Sequence, residues 1–389
     1  MSIRKVVAIT AILLLCGSLT SASALEPLAW EATAGRELSD VATDADGNVY
    51  VTGVRWEHGR TVAIVRSYGP DGSVRWRRSW VPPDVDGDPT FAVGREIDVG
   101  GDLVAVGGRV SPNFCNAEGW WLRTYTTAGE LLWQRQEPGW RRCNASSWVD
   151  GVSTDGASVV LAWNELKGVP FSRGWVRGYE LDGTVGWTTE FDVPELGDVM
   201  DGVRDATITG SGIVAVVGWT RDLPDRDPDG RYHLVVQELS PSGDVLWIRT
   251  PGPATRWLSS ADTIDVEGAS LLVGATVSRR SGRDAWVATM PSDAPPEWTM
   301  EWPTTGWETA VMFTPTGSSF VAYRVSGDGD GGADAAIREL DPEGVELSLG
   351  RLDAGPSGIQ TARIAAIGAG VVVAAAIEPP MGGYVARFG

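Results

Sequence analysis

Histidine is nearly absent: 389 residues hold only His58 and His233. A Ser-His-Asp triad or a histidine zinc site would have to be built on one of them. His58 falls in a short polar gap and His233 at the start of an apolar run, and neither has a recognisable partner motif beside it. Cysteine is scarce too, with three in all, one of them inside the N-terminal apolar segment. Beyond that segment no run is long and apolar enough to predict a membrane helix. Basic charge is in deficit, 32 Lys and Arg against 51 Asp and Glu for a net charge of −19. That balance argues against nucleic acid or an anionic membrane surface as partner, since both demand basic patches. Helical periodicity is missing as well: apolar residues recur at period two or in short β-branched runs, so no helix is predicted.

What is present is a repeat. Val41 to Trp80 reads VATDADGNVYVTGVRWEHGRTVAIVRSYGPDGSVRWRRSW and splits into four short strands. DADG and PDG mark tight turns, because Asp tolerates turn conformations and Gly supplies positive φ at no steric cost. Degenerate copies follow to the last residue. The fourth strand recurs as GSVRW, GELLW, GTVGW and GDVLW, which places Trp76, Trp133, Trp187 and Trp247 in register. Trp298 follows in PPEW without the glycine, and Leu347 is assigned the position in GVELS. The third strand recurs as IVRSY, WLRTY, WVRGY, VVQEL, WVATM, AIREL and YVARF. Its last copy has no fourth strand after it, whereas Pro27 to Thr33, with Trp30, is a fourth strand without a unit before it.

Four antiparallel strands in about fifty residues is the size of one propeller blade. The predicted fold is therefore all-β: a seven-bladed β-propeller over residues 25–389, with the last blade closed by the N-terminal strand. The blades are expected at about 40–80, 96–138, 150–191, 205–250, 262–302, 309–352, and 363–388 plus 27–33. Residues 1–24 read as a signal peptide: Arg4 and Lys5, the apolar VVAITAILLLC, then Ala22-Ser23-Ala24 as cleavage site. The expected location is secreted, periplasmic or cell-surface. A lipoprotein anchored through Cys16 is the second reading, disfavoured because Leu15 is large for such a site. Loss of the leader makes the mature chain two units more negative. It leaves Cys115 and Cys143 on loops that emerge on one face, where an oxidising compartment predicts a disulfide, with free thiols as the alternative.

Loop lengths are unequal. Turns from first to second and third to fourth strand are nearly all minimal. Connections from second to third strand and from blade to blade are long, for example SPNFCNAEG, NELKGVPFSRG and RDLPDRDPDGR. Both long classes emerge on the same face, where repeat proteins carry insertions and binding. On that face Asp225, Asp227 and Asp229 with Gly230 read D-x-D-x-D-G, the opening of a calcium loop in which alternate carboxylates converge on a hard cation. Val236 stands where an EF-hand has glutamate, so the loop is no EF-hand, and solvated connector is the competing reading. Asp84, Asp86 and Asp88, and Asp328, Asp330 and Asp334, are weaker versions of the pattern. Asp40, Glu96, Asp150, Asp205 and Asp262 fall at similar places near the first strand, which lines the channel. They predict either a cation-friendly mouth or, as the blander alternative, caps and bonds to a neighbouring blade. Trp140, Trp148, Trp257 and Trp307 lie in or beside long loops, where an indole can stack on a sugar or a partner. The tryptophans within strands are expected to pack between blades.

From VATDADGNVYVTG followed by IVRSY and GSVRW, the chain resembles the bacterial seven-bladed β-propeller repeat (SBBP) family, found in exported and cell-surface proteins. The resemblance is closest in the first blade and covers nearly all of the mature chain. It implies a fold and a compartment and carries no catalytic residues. The GxxxW motif is also similar to the tryptophan-docking motif of pyrroloquinoline quinone enzymes and of the related outer-membrane assembly lipoprotein. The absence of adjacent cysteines, and seven units in place of eight, depart from the quinoprotein pattern. The function expected is a non-enzymatic, monomeric, exported module that binds an extracellular protein or glycan through its long-loop face, with Ca2+ ordering those loops. The alternative is an extracellular hydrolase or lyase using carboxylates at the channel mouth, since 51 acidic residues allow many pairs.

Overall fold

In the computed structural model each repeat becomes one four-stranded antiparallel sheet. The structure describes residues 30–388 apart from 36, 85–88, 113–117, 138–144, 168–171, 195–199, 210, 222–230, 253, 256–259, 281, 292–293, 305–308, 315–317, 327–332, 353–358, 368–369 and 378–381. After β1 (Trp30–Gly35), blade 1 comprises β2 (Glu37–Thr43), β3 (Val49–Glu57), β4 (Arg60–Tyr68) and β5 (Val74–Trp80). Blade 2 is β6 (Thr90–Gly100), β7 (Leu103–Pro112), β8 (Gly119–Thr126) and β9 (Leu131–Glu137). Blade 3 is β10 (Ala145–Thr154), β11 (Ser158–Lys167), β12 (Ser172–Glu180) and β13 (Val185–Phe191). Blade 4 is β14 (Met200–Ile208), β15 (Val214–Arg221), β16 (Tyr232–Leu239) and β17 (Val245–Arg249). Blade 5 is β18 (Ser260–Glu267), β19 (Ser270–Arg279), β20 (Gly282–Pro291) and β21 (Trp298–Thr304), and blade 6 is β22 (Thr309–Phe313), β23 (Ser319–Ser326), β24 (Ala333–Leu340) and β25 (Glu346–Leu352). The final strands β26 (Ile359–Ile367), β27 (Gly370–Ile377) and β28 (Gly382–Phe388) form a sheet of order β1–β28–β27–β26. In it Trp30 stands opposite Arg387 and Thr33 opposite Tyr384. Among the described residues there is no α-helix, and no helix long and apolar enough to cross a membrane.

The core lies between blades. Each blade's middle strands are apolar on both faces, as VYV in β3 and LVAV in β7 show, so each must be covered by a neighbour on either side. One cluster joins Tyr50, Val65 and Trp76 of blade 1 to Ile97, Val106, Trp121 and Tyr125 of blade 2. A second joins Trp120 and Trp133 of blade 2 to Val149, Leu161 and Trp163 of blade 3, and equivalent clusters follow from blade 3 to blade 6. Full burial of each such side chain contributes about 1.5–3 kcal/mol, so these faces dominate the stability. The innermost strand β2 also lies against β26 and β27, and β22 against β26.

Tryptophan and glycine lock the outer edge. Third-to-fourth turns carry glycine at φ 78° in Gly72 and Gly183 and at 85° in Gly129 and Gly243. At Gly129, Gly183 and Gly243 the indole of the preceding blade lies over the glycine: a methyl group on Gly129 would sit 2.7 Å from Trp76 Cδ2, and one on Gly183 2.7 Å from Trp133 Cδ2. The indole N–H then donates to a carbonyl of the same turn, Trp76 to Thr127 O at 2.9 Å and Trp133 to Leu181 O at 2.8 Å. GELLW and GTVGW thus each join a receptor glycine to a tryptophan that docks on the next blade. Trp247 has no such glycine ahead of it, because the turn in blade 5 reads PSDAPPE, and it donates instead to Glu238 of its own blade at 2.8 Å. The register corrects one sequence assignment. Glu238 pairs with Trp247, and the equivalent Glu339 pairs with Ser348, so Ser348 holds the tryptophan position and Leu347 is an exposed neighbour. Beyond Ser348 lies the sheet of β26 to β28 and β1, which has no third-to-fourth turn to receive an indole.

Candidate functional site

The long-loop face is the end of the molecule at which the innermost strands begin, and its centre is built from their first residues. Register shifts occur between Leu38 and Asp40, Gly94 and Glu96, Val149 and Gly151, Val203 and Asp205, Ala261 and Thr263, and Ile359 and Thr361. Each is a β-bulge that inserts one residue: Ser39, Arg95, Asp150, Arg204, Asp262 and Gln360. A bulge re-aims its extra side chain. Four of them line one cavity with Glu96 and Arg363: Arg95, Asp150, Arg204 and Asp262, alternating in sign over four consecutive blades. The cavity is small, with a volume of about 20 Å³.

Residues after the bulges bind blades together. In three blades the side chain one position past the bulge accepts a backbone N–H of the next blade. Asp40 accepts from Ile97 at 2.9 Å, Asp205 from Ile264 at 3.0 Å and Thr263 from Val311 at 3.0 Å. Two residues further along, Asp98 accepts from Thr154 at 2.8 Å, Ser153 from Ile208 at 3.1 Å and Asp265 from Phe313 at 2.6 Å. These bonds run from the side chains of one blade to the backbone of the next and tie neighbouring blades together.

The bulge separates the acids that sequence spacing had grouped. Asp40, Glu96 and Asp205 follow a bulge, whereas Asp150 and Asp262 are the bulged residues. Asp150 accepts hydrogen bonds from Trp148 Nε1 at 2.7 Å and Asn164 Nδ2 at 2.5 Å, and Arg95 Nη2 lies 3.5 Å away. Asp262 accepts from Thr276 Oγ1 at 2.6 Å and the Thr309 amide at 3.2 Å. Burial raises Asp40, Glu96, Asp98, Asp150, Asp205 and Asp265, because desolvation disfavours the charged form. Asp205 is pushed up to about 8 and Asp40 and Asp265 to about 6. Glu96 stands well above the usual range through burial and the nearby Asp40, against the opposing pull of Arg363, whose Nη2 is 4.0 Å from Glu96 Oε1.

Trp148 is thus brought to the mouth beside Asp150. Trp140, Trp257 and Trp307, the Asp225, Asp227 and Asp229 loop, Asp86, Asp88, Asp328 and Asp330, and Cys115 and Cys143 lie outside the described residues. Asp84 pairs with Arg60 at 2.6 Å. Among the described residues no group of three or more His, Cys, Asp or Glu is placed to hold a metal ion. Sequence reading missed Arg95 and Arg204, because it counted acids along the strand starts. The alternation R-E at 95 and 96 and R-D at 204 and 205 was the available signal.

No family model matches the chain, and no curated protein matches it. Among solved structures it is similar to the β-propeller domain of the trilobed protease from Pyrococcus furiosus, which has an open velcro topology. The TM-score is 0.51 at 9% identity, covering 92% of this chain and 94% of that one. A polysaccharide lyase of family PL25, an ulvan lyase bound to a GlcA–Rha3S saccharide, matches with TM-score 0.48 at 8% identity over 93% and 94%. The WD40 domain of SCAP from fission yeast matches with TM-score 0.39 at 11% identity over 92% and 93%. The protease domain identifies the fold as a β-propeller.

Proposed function

We propose that the chain is a non-enzymatic binding module: a ring of seven blades closed by its N-terminal strand, exported after removal of residues 1–24, that recognises an extracellular protein or glycan on its long-loop face. The observation that carries this reading is the engagement of the central carboxylates. Asp40, Asp98, Asp205 and Asp265 hold backbone amides of the next blade, and Asp150 and Asp262 are held by Trp148, Asn164, Thr276 and Thr309. A general acid or base must be free to exchange its proton with substrate, and these groups are committed to the scaffold. The connectors at 138–144, 192–199, 222–231 and 250–259 are longer than the two to six residues of the first-to-second and third-to-fourth turns, which gives this face the most chain for a partner to dock on. The SBBP resemblance supports export, calcium at Asp225, Asp227 and Asp229 would order one connector, and a Cys115–Cys143 bridge would tie two others.

The test immobilises residues 25–389 and measures binding to panels of extracellular glycans and proteins, with calcium and then with chelator. Replacing 222–230 by a short Gly-Ser turn is expected to abolish binding while leaving the melting temperature within a few degrees. Asp225→Asn/Asp227→Asn is expected to reproduce the effect of chelator. Turnover of a polysaccharide or peptide that vanishes in a folded Asp150→Asn/Asp205→Asn/Asp262→Asn variant would sink the reading in favour of a hydrolase or lyase.

A further inference from the structure

The outer edge of blade 1 carries a positive charge that blades 2 to 6 do not share. From Arg60 to Trp80, β4, its turn and β5 hold Arg60, Arg66, Arg75, Arg77 and Arg78 against one acid, Asp71. The same stretch of each of blades 2 to 6 holds at least as many acids as arginines. Arg60 is closed by Asp84 at 2.6 Å. Asp71 is folded back into its own turn, where it accepts from Ser73 N at 2.9 Å and Ser73 Oγ at 2.6 Å. Four arginines remain, and an arginine keeps its charge at any pH at which the chain folds. Arg66 and Arg77 stand directly opposite each other across β4 and β5, a like-charge pair that destabilises a sheet. Among the described residues neither guanidinium has a hydrogen-bond or ion-pair partner. On the face turned to blade 2, Arg75 is the inserted residue of a bulge and donates to Tyr50 Oη at 2.9 Å and Ser67 Oγ at 3.1 Å. Arg78 donates from Nε to Gly129 O at 2.7 Å. Arg75, Arg77 and Arg78 are exposed.

We infer that this edge is a binding site for an anionic polysaccharide, a linear glycan bearing sulfate or carboxylate groups, anchored by the Arg66–Arg77 pair. Residues that face each other in an antiparallel pair have Cβ atoms about 5 Å apart, so one sulfate or carboxylate can accept from both guanidinia and remove their repulsion. Arg75 and Arg78 meet neighbouring anionic groups of the polymer with the donors that their bonds within the protein leave over. An acidic peptide would dock by pairing its backbone with the outermost strand, but the Arg77 carbonyl already accepts from Arg78 Nη1 at 2.9 Å. Nucleic acid demands a broad basic surface, and the chain as a whole carries −19. A slender glycan touches the edge alone, where within a Debye length of about 10 Å the local arginines outweigh the acids further off. The site is separate from the long-loop face, so the inference goes beyond the reading of that face and stands without it.

The experiment measures binding of residues 25–389 to immobilised dextran sulfate between about 50 and 200 mM sodium chloride, with uncharged dextran, polyglutamate and a single-stranded oligonucleotide as comparison surfaces. Binding to dextran sulfate that weakens as salt rises is expected, with none to dextran. Arg66→Gln/Arg77→Gln is expected to weaken it by about tenfold or more, at a melting temperature no lower than wild type because a like-charge pair is relieved. Arg173→Gln/Arg280→Gln removes the same charge from exposed positions on blades 3 and 5 and is expected to leave binding unchanged. No binding of the wild-type chain to dextran sulfate overturns the inference irrespective of whether any variant folds. Undiminished binding in a folded Arg66→Gln/Arg77→Gln, or an equal loss in both double variants, overturns it as well. Tighter binding to polyglutamate or to the oligonucleotide overturns the glycan in favour of an acidic peptide or nucleic acid.

Discussion

At the scale of single residues, the docking of indole on glycine is the feature most exposed to test. Gly183 has φ 78° and lies under Trp133, where a methyl group would come within 2.7 Å of the ring and 2.9 Å of Arg135 Nη2. Gly268 has φ 62° and nothing within 4 Å. Both positions penalise a Cβ for left-handed backbone, by about 1 kcal/mol, but only the first adds overpacking, about 1–3 kcal/mol more. Urea denaturation should therefore show Gly183→Ala costing about 2–4 kcal/mol and Gly268→Ala about 1 kcal/mol. Equal costs would mean that the indole yields freely and that the GxxxW motif carries no inter-blade stability. That motif was legible in the sequence because a turn glycine and an indole recur at fixed spacing. The displaced assignment at Leu347 shows the limit: without the tryptophan, only the Glu339–Ser348 pairing identifies the position.

At the scale of the element, the inner strands couple folding to pH. Asp205 has its folded-state pKa raised to about 8, mainly by desolvation, and Asp40 and Asp265 theirs to about 6. The unfolded values lie near 3.9. A carboxyl with a raised folded pKa favours the folded state when protonated, so its contribution is fully present below about pH 4 and is lost as pH rises through the folded value. For Asp205 the loss extends from about pH 4 to 8, at up to about 1.4 kcal/mol per pH unit. Asp40 and Asp265 act the same way between about pH 4 and 6. Asp205→Asn keeps an oxygen acceptor for the Ile264 amide without a titrating proton. Stability measured by urea between pH 6 and 8 is expected to fall with pH in the wild-type chain and to fall less steeply in Asp205→Asn, where Asp201, raised to about 7, still titrates. A wild-type curve already flat over that window would show that Asp205 titrates normally. None of this was legible from spacing, because the inserted residue of each bulge changes which side chain faces the axis, and a bulge has no fixed sequence mark.

At the scale of the whole molecule, the chain's two ends meet in one sheet. β1 contributes its edge to β28 through Trp30–Arg387 and Thr33–Tyr384, and without it β28 would present unpaired N–H and C=O groups to solvent. Removing residues 25–36 from the mature chain is expected to lower the urea midpoint, broaden the transition and produce dimers or larger species by light scattering. A monomer with an unchanged midpoint would show that β1 is a passive appendage and that the proposed closure contributes nothing. The ends were matched from sequence by complementarity alone: an orphan fourth strand at Trp30 and a final unit lacking one.

The sequence by itself determined the local and periodic features of this protein. Asp-Gly turns, alternating β-branched runs and the recurrent tryptophan specify four-stranded units and their outer-edge contacts, because turn conformation and strand period are encoded within a few residues. Only the tertiary structure decided the centre. There, side chains from separate blades meet, so Arg95, Asp150, Arg204, Asp262 and Arg363 share a cavity although up to 268 positions divide them. Bulge register, burial and the pairing of carboxylates with a neighbouring blade's amides depend on how the sheets pack around the axis. Those are long-range properties, and no local pattern of residues specifies them.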